Sequence, residues 1–205
     1  GQHRHRRHRQ RARPVVAGSM VFAPLLDDAG TIAAIDLGSG EFLGSIALQQ
    51  PHGANLQFVP QAGTPSLLAT GLARQAYLFR IVQGESPSLD FACGIVTGHA
   101  ASSVLVDPLI VSPFGGNSSP RMILATASGA GASRLTEFAI PSEGNSSLDS
   151  PAPKLVEKTL IGWPWYPFTS DGERLAFTTD SGMVGWYGWK SPGDGLFPLL
   201  PEPVT

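Results

Sequence analysis

The chain has a single cysteine, Cys93, so no disulfide can form within it. A reactive thiol would need a base nearby, and none stands near Cys93 in sequence; in SLDFACGI (Ser88 to Ile95) it reads as a small apolar residue packed in a strand. No window holds the roughly 18 unbroken apolar residues that a spanning helix requires, and the start lacks the apolar core of a signal peptide. The first residue is Gly1 rather than Met, so a leader can lie upstream and the compartment stays open. Charge is scarce too, at 15% of residues, and helix-period amphipathicity is missing throughout. What is present in quantity is Gly (24), Pro (18) and apolar side chains (42%), a turn-rich β composition in a chain long enough for one sizeable core or for part of a larger repeat domain.

Acidic residues are absent from the first fourteen positions, where Arg4, Arg6, Arg7, Arg9, Arg11 and Arg13 stand among His3, His5 and His8. Of the 14 Lys and Arg, six lie in this tail, leaving eight against 16 acidic residues in a mildly acidic body. Residues 1–14 have too little apolar surface to offset chain entropy and are expected to be a disordered Arg/His-rich tail. Such a tail can attract phosphates or an anionic surface electrostatically. Its histidines have no fixed scaffold on which to hold a metal.

From Val15 onward a strand–turn–strand unit recurs four times. Its clearest copies are AGTIAAIDLGSGEFLGSI (Ala29 to Ile46) and SDGERLAFTTDSGMVGWYGW (Ser170 to Trp189), and looser ones run from Pro65 to Ile81 and from Arg121 to Ile140. Asp27, Thr70, Thr126 and Thr179, which close the first strand of each copy, lie 43, 56 and 53 residues apart, a spacing of propeller blades. The first unit is expected to hold three strands, Met20–Leu25, Thr31–Asp36 and Phe42–Ala47. The others hold four each: Leu56–Val59, Ser66–Thr70, Gln75–Ile81 and Phe91–Ile95; then Leu109–Ser112, Met122–Ala127, Arg134–Ile140 and Leu155–Leu160; then Trp165–Thr169, Arg174–Thr178, Met183–Trp189 and Leu196–Leu200. The predicted fold is therefore all-β, a β-propeller-like array of about four antiparallel four-stranded blades (15–50, 51–100, 101–160 and 161–205) forming an incomplete ring. Trp163, Trp165, Trp186 and Trp189 read as packing residues between blades, which makes Trp186→Ala a destabilising change.

The segment around Gly30, Asp36 and Gly40 resembles the quinoprotein-type (PQQ-like) and WD-type propeller repeat, with Gly44 where that repeat places a docking Trp. The last unit, from Gly162 to Trp189, is similar to blades of large bacterial proteins that join such propellers to tetratricopeptide repeats. The resemblance implies one of two uses. Quinoprotein dehydrogenases hold a quinone and calcium using Glu, Asn and Asp and, in the alcohol enzymes, a vicinal cysteine pair. No such set stands here, so no catalytic, cofactor-binding or metal-binding residue is carried over and no cofactor is expected. WD-repeat scaffolds and outer-membrane assembly lipoproteins instead bind proteins through the propeller surface. Partners are thus expected to be other proteins or further blades of the same protein, in a bacterial periplasm or cytoplasm.

Other constellations are weak. His99, Ser103 and Asp107 share one stretch without a nucleophile elbow. Ser128 to Ser133 reads as a hairpin loop rather than a phosphate cradle. Asp27, Asp28 and Asp180 sit in turns, where Asp bonds nearby backbone. Asn117 and Asn145 begin glycosylation-type triplets. Three readings of function follow: a non-catalytic scaffold binding proteins through loops on one face; a cofactor- or ligand-binding propeller of the quinoprotein class; and an anionic-surface or nucleic-acid binder acting through the Arg tail.

Overall fold

A computed structural model describes residues 13–52, 55–59, 65–71, 75–82, 88–96, 106–112, 120–129, 131–140, 154–191 and 194–199. They form sixteen strands and, among the described residues, no helix. The first sheet is β1 (Val15–Ala17), β2 (Met20–Pro24), β3 (Thr31–Asp36) and β4 (Phe42–Ala47); the second is β5 (Gln57–Val59), β6 (Ser66–Thr70), β7 (Gln75–Val82) and β8 (Ser88–Val96). The third is β9 (Leu109–Val111), β10 (Arg121–Gly129), β11 (Ala132–Ala139) and β12 (Lys154–Ile161); the fourth is β13 (Thr169–Ser170), β14 (Arg174–Thr178), β15 (Val184–Gly188) and β16 (Phe197–Pro198). Each is an antiparallel meander with strands adjacent in chain order.

The sheets stack face to face in sequence. One apolar cluster joins the first and second (Phe22, Ile32, Ala34, Leu67, Ala69, Phe79), another the second and third (Leu68, Leu78, Met122, Leu124, Phe138), and a third the third and fourth (Ile123, Leu135, Phe177, Tyr187, Trp189). The strand patterns follow from this order. β6, SLLAT, is buried at every position because both faces of its sheet are covered, as parallel-sheet strands are for the same reason. β14, RLAFT, alternates, with Leu175 and Phe177 buried and Arg174 and Thr178 exposed, because one face of its sheet has no neighbour among the described residues. The result is an all-β, propeller-like array of four four-stranded blades. Among the described residues no apolar cluster joins the first sheet to the fourth.

The turns show why the repeat breaks where it does. Asp36 Oδ1 accepts from the Gly38 and Ser39 amides (3.0 and 2.7 Å) and from Ser39 Oγ (2.9 Å), which closes the β3–β4 hairpin. Asp171 Oδ1 does the same for the Glu173 and Arg174 amides ahead of β14 (3.0 and 2.8 Å). Gly30 enters β3 at φ +63°, and a Cβ there would collide with the Gln50 carbonyl.

Three strand expectations are corrected. Val15–Ala17 adds a fourth strand to the first sheet, pairing with Met20–Phe22 across a two-residue Gly18-Ser19 turn; its three residues are too few to show alternation in sequence. Trp165–Thr169 contributes only Thr169 to a strand, since Pro167 interrupts it and Trp165 and Tyr166 project into solvent. β2 also stops at Pro24, short of Asp27, which instead accepts the Thr31 amide at 2.9 Å.

Candidate functional site

The first strands of the second and third sheets and the segment leading into β13 converge on one open groove of about 540 Å³. Its walls are Gln57 and Phe58 of β5, Asp107 to Ser112 around β9, and Pro167 and Phe168. β5 and β9 are edge strands, each paired on one side only, so the groove runs along the row where the blades approach one another at their inner edge. Phe58 points outward, 38% exposed, while Val59 beside it is wholly buried. On β9, Ile110 packs toward the second sheet and Leu109 and Val111 toward the fourth. Phe168 joins the groove to the core of the fourth sheet, edge-on to Phe177 at 5.4 Å, which in turn stacks on Tyr187 at 5.7 Å.

The rim is pinned by polar contacts between sheets. Asp107 accepts from the Asn55 amide (3.0 Å) and from Asn55 Nδ2 (2.6 Å), and Asn55 Oδ1 accepts from the Arg13 amide (2.6 Å). This ties the chain entering β1 to the second and third sheets. A separate buried network clamps the third sheet to the fourth. Glu137, fully buried on β11, accepts from Arg121 Nη1 at 2.8 Å and from Trp189 Nε1 at 2.7 Å through Oε1, and from the Leu196 amide at 2.7 Å through Oε2. Arg121 Nη1 also donates to the Asp194 carbonyl at 2.7 Å. A second clamp sits at the opposite end of the same interface: Trp163 Nε1 donates to the Ala132 carbonyl (2.8 Å), Ser133 Oγ to the Gly162 carbonyl (2.7 Å), and the Trp163 amide to Asp180 Oδ1 (2.7 Å).

Two of the four tryptophans therefore pack between sheets, Trp163 and Trp189. The expectation for Trp165 and Trp186 is corrected. Trp165 is 68% exposed, and Trp186, on the free face of the fourth sheet, lies under the Arg174 guanidinium at 6.0 Å. Asp180 bonds the main chain of Trp163 rather than only its own turn. Asp107 belongs to the groove rim, whereas His99 and Ser103 lie outside the described residues, as do His3, His5, His8, Asn117 and Asn145. Cys93 lies on β8 opposite Leu78. Ser128 to Ser133 is the β10–β11 hairpin, as its glycines imply. Among the described residues no three His, Cys, Asp or Glu side chains come together.

The groove and the Glu137 network escaped sequence reading for different reasons. β5 and β9 have three residues each, and nothing local marks them as inner strands. Glu137 looks like any outward strand carboxylate in ASRLTEFA; its partners are 16, 52 and 59 residues away.

Among the described residues three carboxylates and one imidazole are shifted. Asp27 is held below the ordinary carboxylate range by hydrogen bonds from Thr31, Asp36 by those from Ser39, and Asp171 by the Glu173 and Arg174 amides. His52 is lowered by burial, against the opposing pull of the Thr31 carbonyl and Asp27. All four lie away from the groove and serve turns or the first-to-second sheet contact, where His52 bridges to Gly71 and its Nε2 lies 3.2 Å from the Thr31 carbonyl.

No protein-family model matches this chain. No curated protein matches it either. Among solved structures it is similar to the crystal structure of BamB from Moraxella catarrhalis, with a TM-score of 0.40 at 12% identity, over 88% of this chain and 59% of that one.

Proposed function

We propose that this chain is a non-catalytic β-propeller scaffold for protein–protein interaction, and that it receives a segment of its partner in the inner-edge groove. The observation that carries this reading is the groove itself, built jointly by three blades and presenting Phe58, Ile110 and Pro167 beside Gln57, Ser112 and Asp107. A cavity of a few hundred Å³ with an apolar wall and a few convergent polar groups is the usual form of a binding site. Among the described residues no strand pairs with the outer edges of β5 and β9, which suits main-chain pairing with an extended peptide, and Phe58 offers an aromatic anchor.

The reading places the contact on the inner strands. The connections at 113–119 and 141–153 lie outside the described residues. The test is selection of peptides from a displayed library on the purified chain, followed by calorimetry. A selected peptide should lose at least about tenfold in affinity on Phe58→Asp, roughly the cost of removing one anchor, and keep its affinity on Trp165→Ala. Equal affinity for wild type and Phe58→Asp would overturn the groove as the site.

A further inference from the structure

One position recurs at the entrance to the inner strand of every sheet. Cross-strand register aligns Ala17, Val59 and Val111 as the last residues of β1, β5 and β9, and in the fourth sheet the same place falls to Asp171, whose amide donates to the Arg174 carbonyl. Four residues upstream of these stand Arg13, Asn55, Asp107 and Pro167, each two residues ahead of its strand. The residue that follows is buried in the last three sheets, Leu56, Pro108 and Phe168, which supports the alignment.

Hydrogen bonds between these positions make two of the three steps from sheet to sheet. The Arg13 amide donates to Asn55 Oδ1 at 2.6 Å, and the Asn55 amide donates to Asp107 Oδ1 at 3.0 Å. In both, the main-chain N–H of one sheet is taken by the side-chain oxygen at the same position of the next. The third step is broken. Pro167 has no side-chain acceptor, and no described residue accepts the Asp107 amide. Asp107 and Pro167 both wall the groove, so the break lies inside it.

We propose that the partner completes this series: an asparagine side chain of the bound peptide takes the place that Pro167 leaves, its carbonyl oxygen accepting the Asp107 amide. The inference rests on the reading of the groove as a peptide site and names what that site selects. A main-chain N–H enclosed by ligand keeps its demand for an acceptor, and the two formed steps show that a short side-chain oxygen meets it at this position. A carboxylate from the partner would lie beside the Asp107 carboxylate and be repelled, whereas a neutral amide is not. Asn55 already shows such an amide against Asp107, donating from Nδ2 to Oδ2 at 2.6 Å.

The experiment joins peptide selection to a variant that supplies the acceptor from within the chain. Pro167 is exposed, so Pro167→Asn and the control Pro167→Ala should keep the wild-type circular dichroism. In the free chain, exchange of the Asp107 amide followed by nuclear magnetic resonance should slow at least about tenfold in Pro167→Asn and not in Pro167→Ala. Displayed random peptides selected on wild type should share an Asn, and replacing it with Leu should weaken binding at least about fivefold, the worth of one hydrogen bond. The selected peptide should also bind Pro167→Asn at least about fivefold more weakly than Pro167→Ala. Peptides that lose affinity on Phe58→Asp but share no Asn, or that bind both Pro167 variants equally, overturn the inference and leave the groove reading standing. An Asp107 amide that exchanges as fast in Pro167→Asn as in wild type overturns it as well. Peptides indifferent to Phe58→Asp overturn the groove reading and the inference with it. The Asn-to-Leu comparison needs no change in the protein, so it decides even where Pro167→Asn misfolds.

Discussion

Glu137 concentrates more of the structure's consequences than any other single side chain. Its carboxylate is fully buried and satisfied by Arg121 within the third sheet and by Trp189 and the Leu196 amide from the fourth-sheet segment, so this buried ion pair anchors the contact between the two sheets. Removing one member of a buried pair leaves the other charge uncompensated. Glu137→Gln should therefore cost about 3–5 kcal/mol in chemical denaturation, while the paired change Glu137→Leu with Arg121→Met should recover much of that loss. Equal stability of Glu137→Gln and wild type would remove the clamp from the account. His52 governs a second residue-scale behaviour. Burial disfavours its charged ring, so the unfolded chain binds the proton more readily than the folded one. Stability is then complete above the ordinary value of 6.5 and is lost as the pH falls below it toward the lowered folded value. The carboxylates Asp27, Asp36 and Asp171 act in the same direction at lower pH, their contribution being present above 3.8 and lost as pH falls through their lowered values. Denaturation midpoints measured from pH 8 downward should decline first in the histidine range, and His52→Gln should flatten that first step alone.

At the scale of elements, the third-to-fourth interface separates tryptophans that sequence treats alike. Trp189→Ala removes a buried ring and its bond to Glu137 and should cost about 3–5 kcal/mol. Trp186→Ala, at a face 37% exposed, should cost within about 1 kcal/mol for the isolated chain, and a urea titration of the two variants checks the order. Gly185 shows the same asymmetry from the other side: it lies flat on the Phe177 ring, and an added Cβ would strike that ring. Much of the architecture was legible because Thr31–Asp36, Phe42–Ala47, Ser66–Thr70 and Arg174–Thr178 combine strand-forming runs with Asp and Gly turns, signals confined to neighbouring residues. The alternation of GWYG, with Trp186 out and Tyr187 in, was also visible, but which face would find a neighbour depends on where the sheet falls in the stack. That is why two tryptophans were misplaced, and why Glu137, whose partners come from distant segments, gave no local sign.

For the whole molecule, the groove follows from how the blades meet. The groove exists only because β5, β9 and the Pro167–Phe168 segment come together, and no single blade contains it. Asn55 and Asp107 pin the groove's rim, and in the proposed reading such preorganisation lowers the ordering cost of binding. The most direct measurement of this account is hydrogen–deuterium exchange of the chain with and without a selected peptide ligand. Amides in Gln57–Val59 and Leu109–Val111 should slow on binding while those of Met20–Pro24 keep their rate; slowing confined to the free face of β14 and β15, with β5 and β9 unchanged, would contradict it.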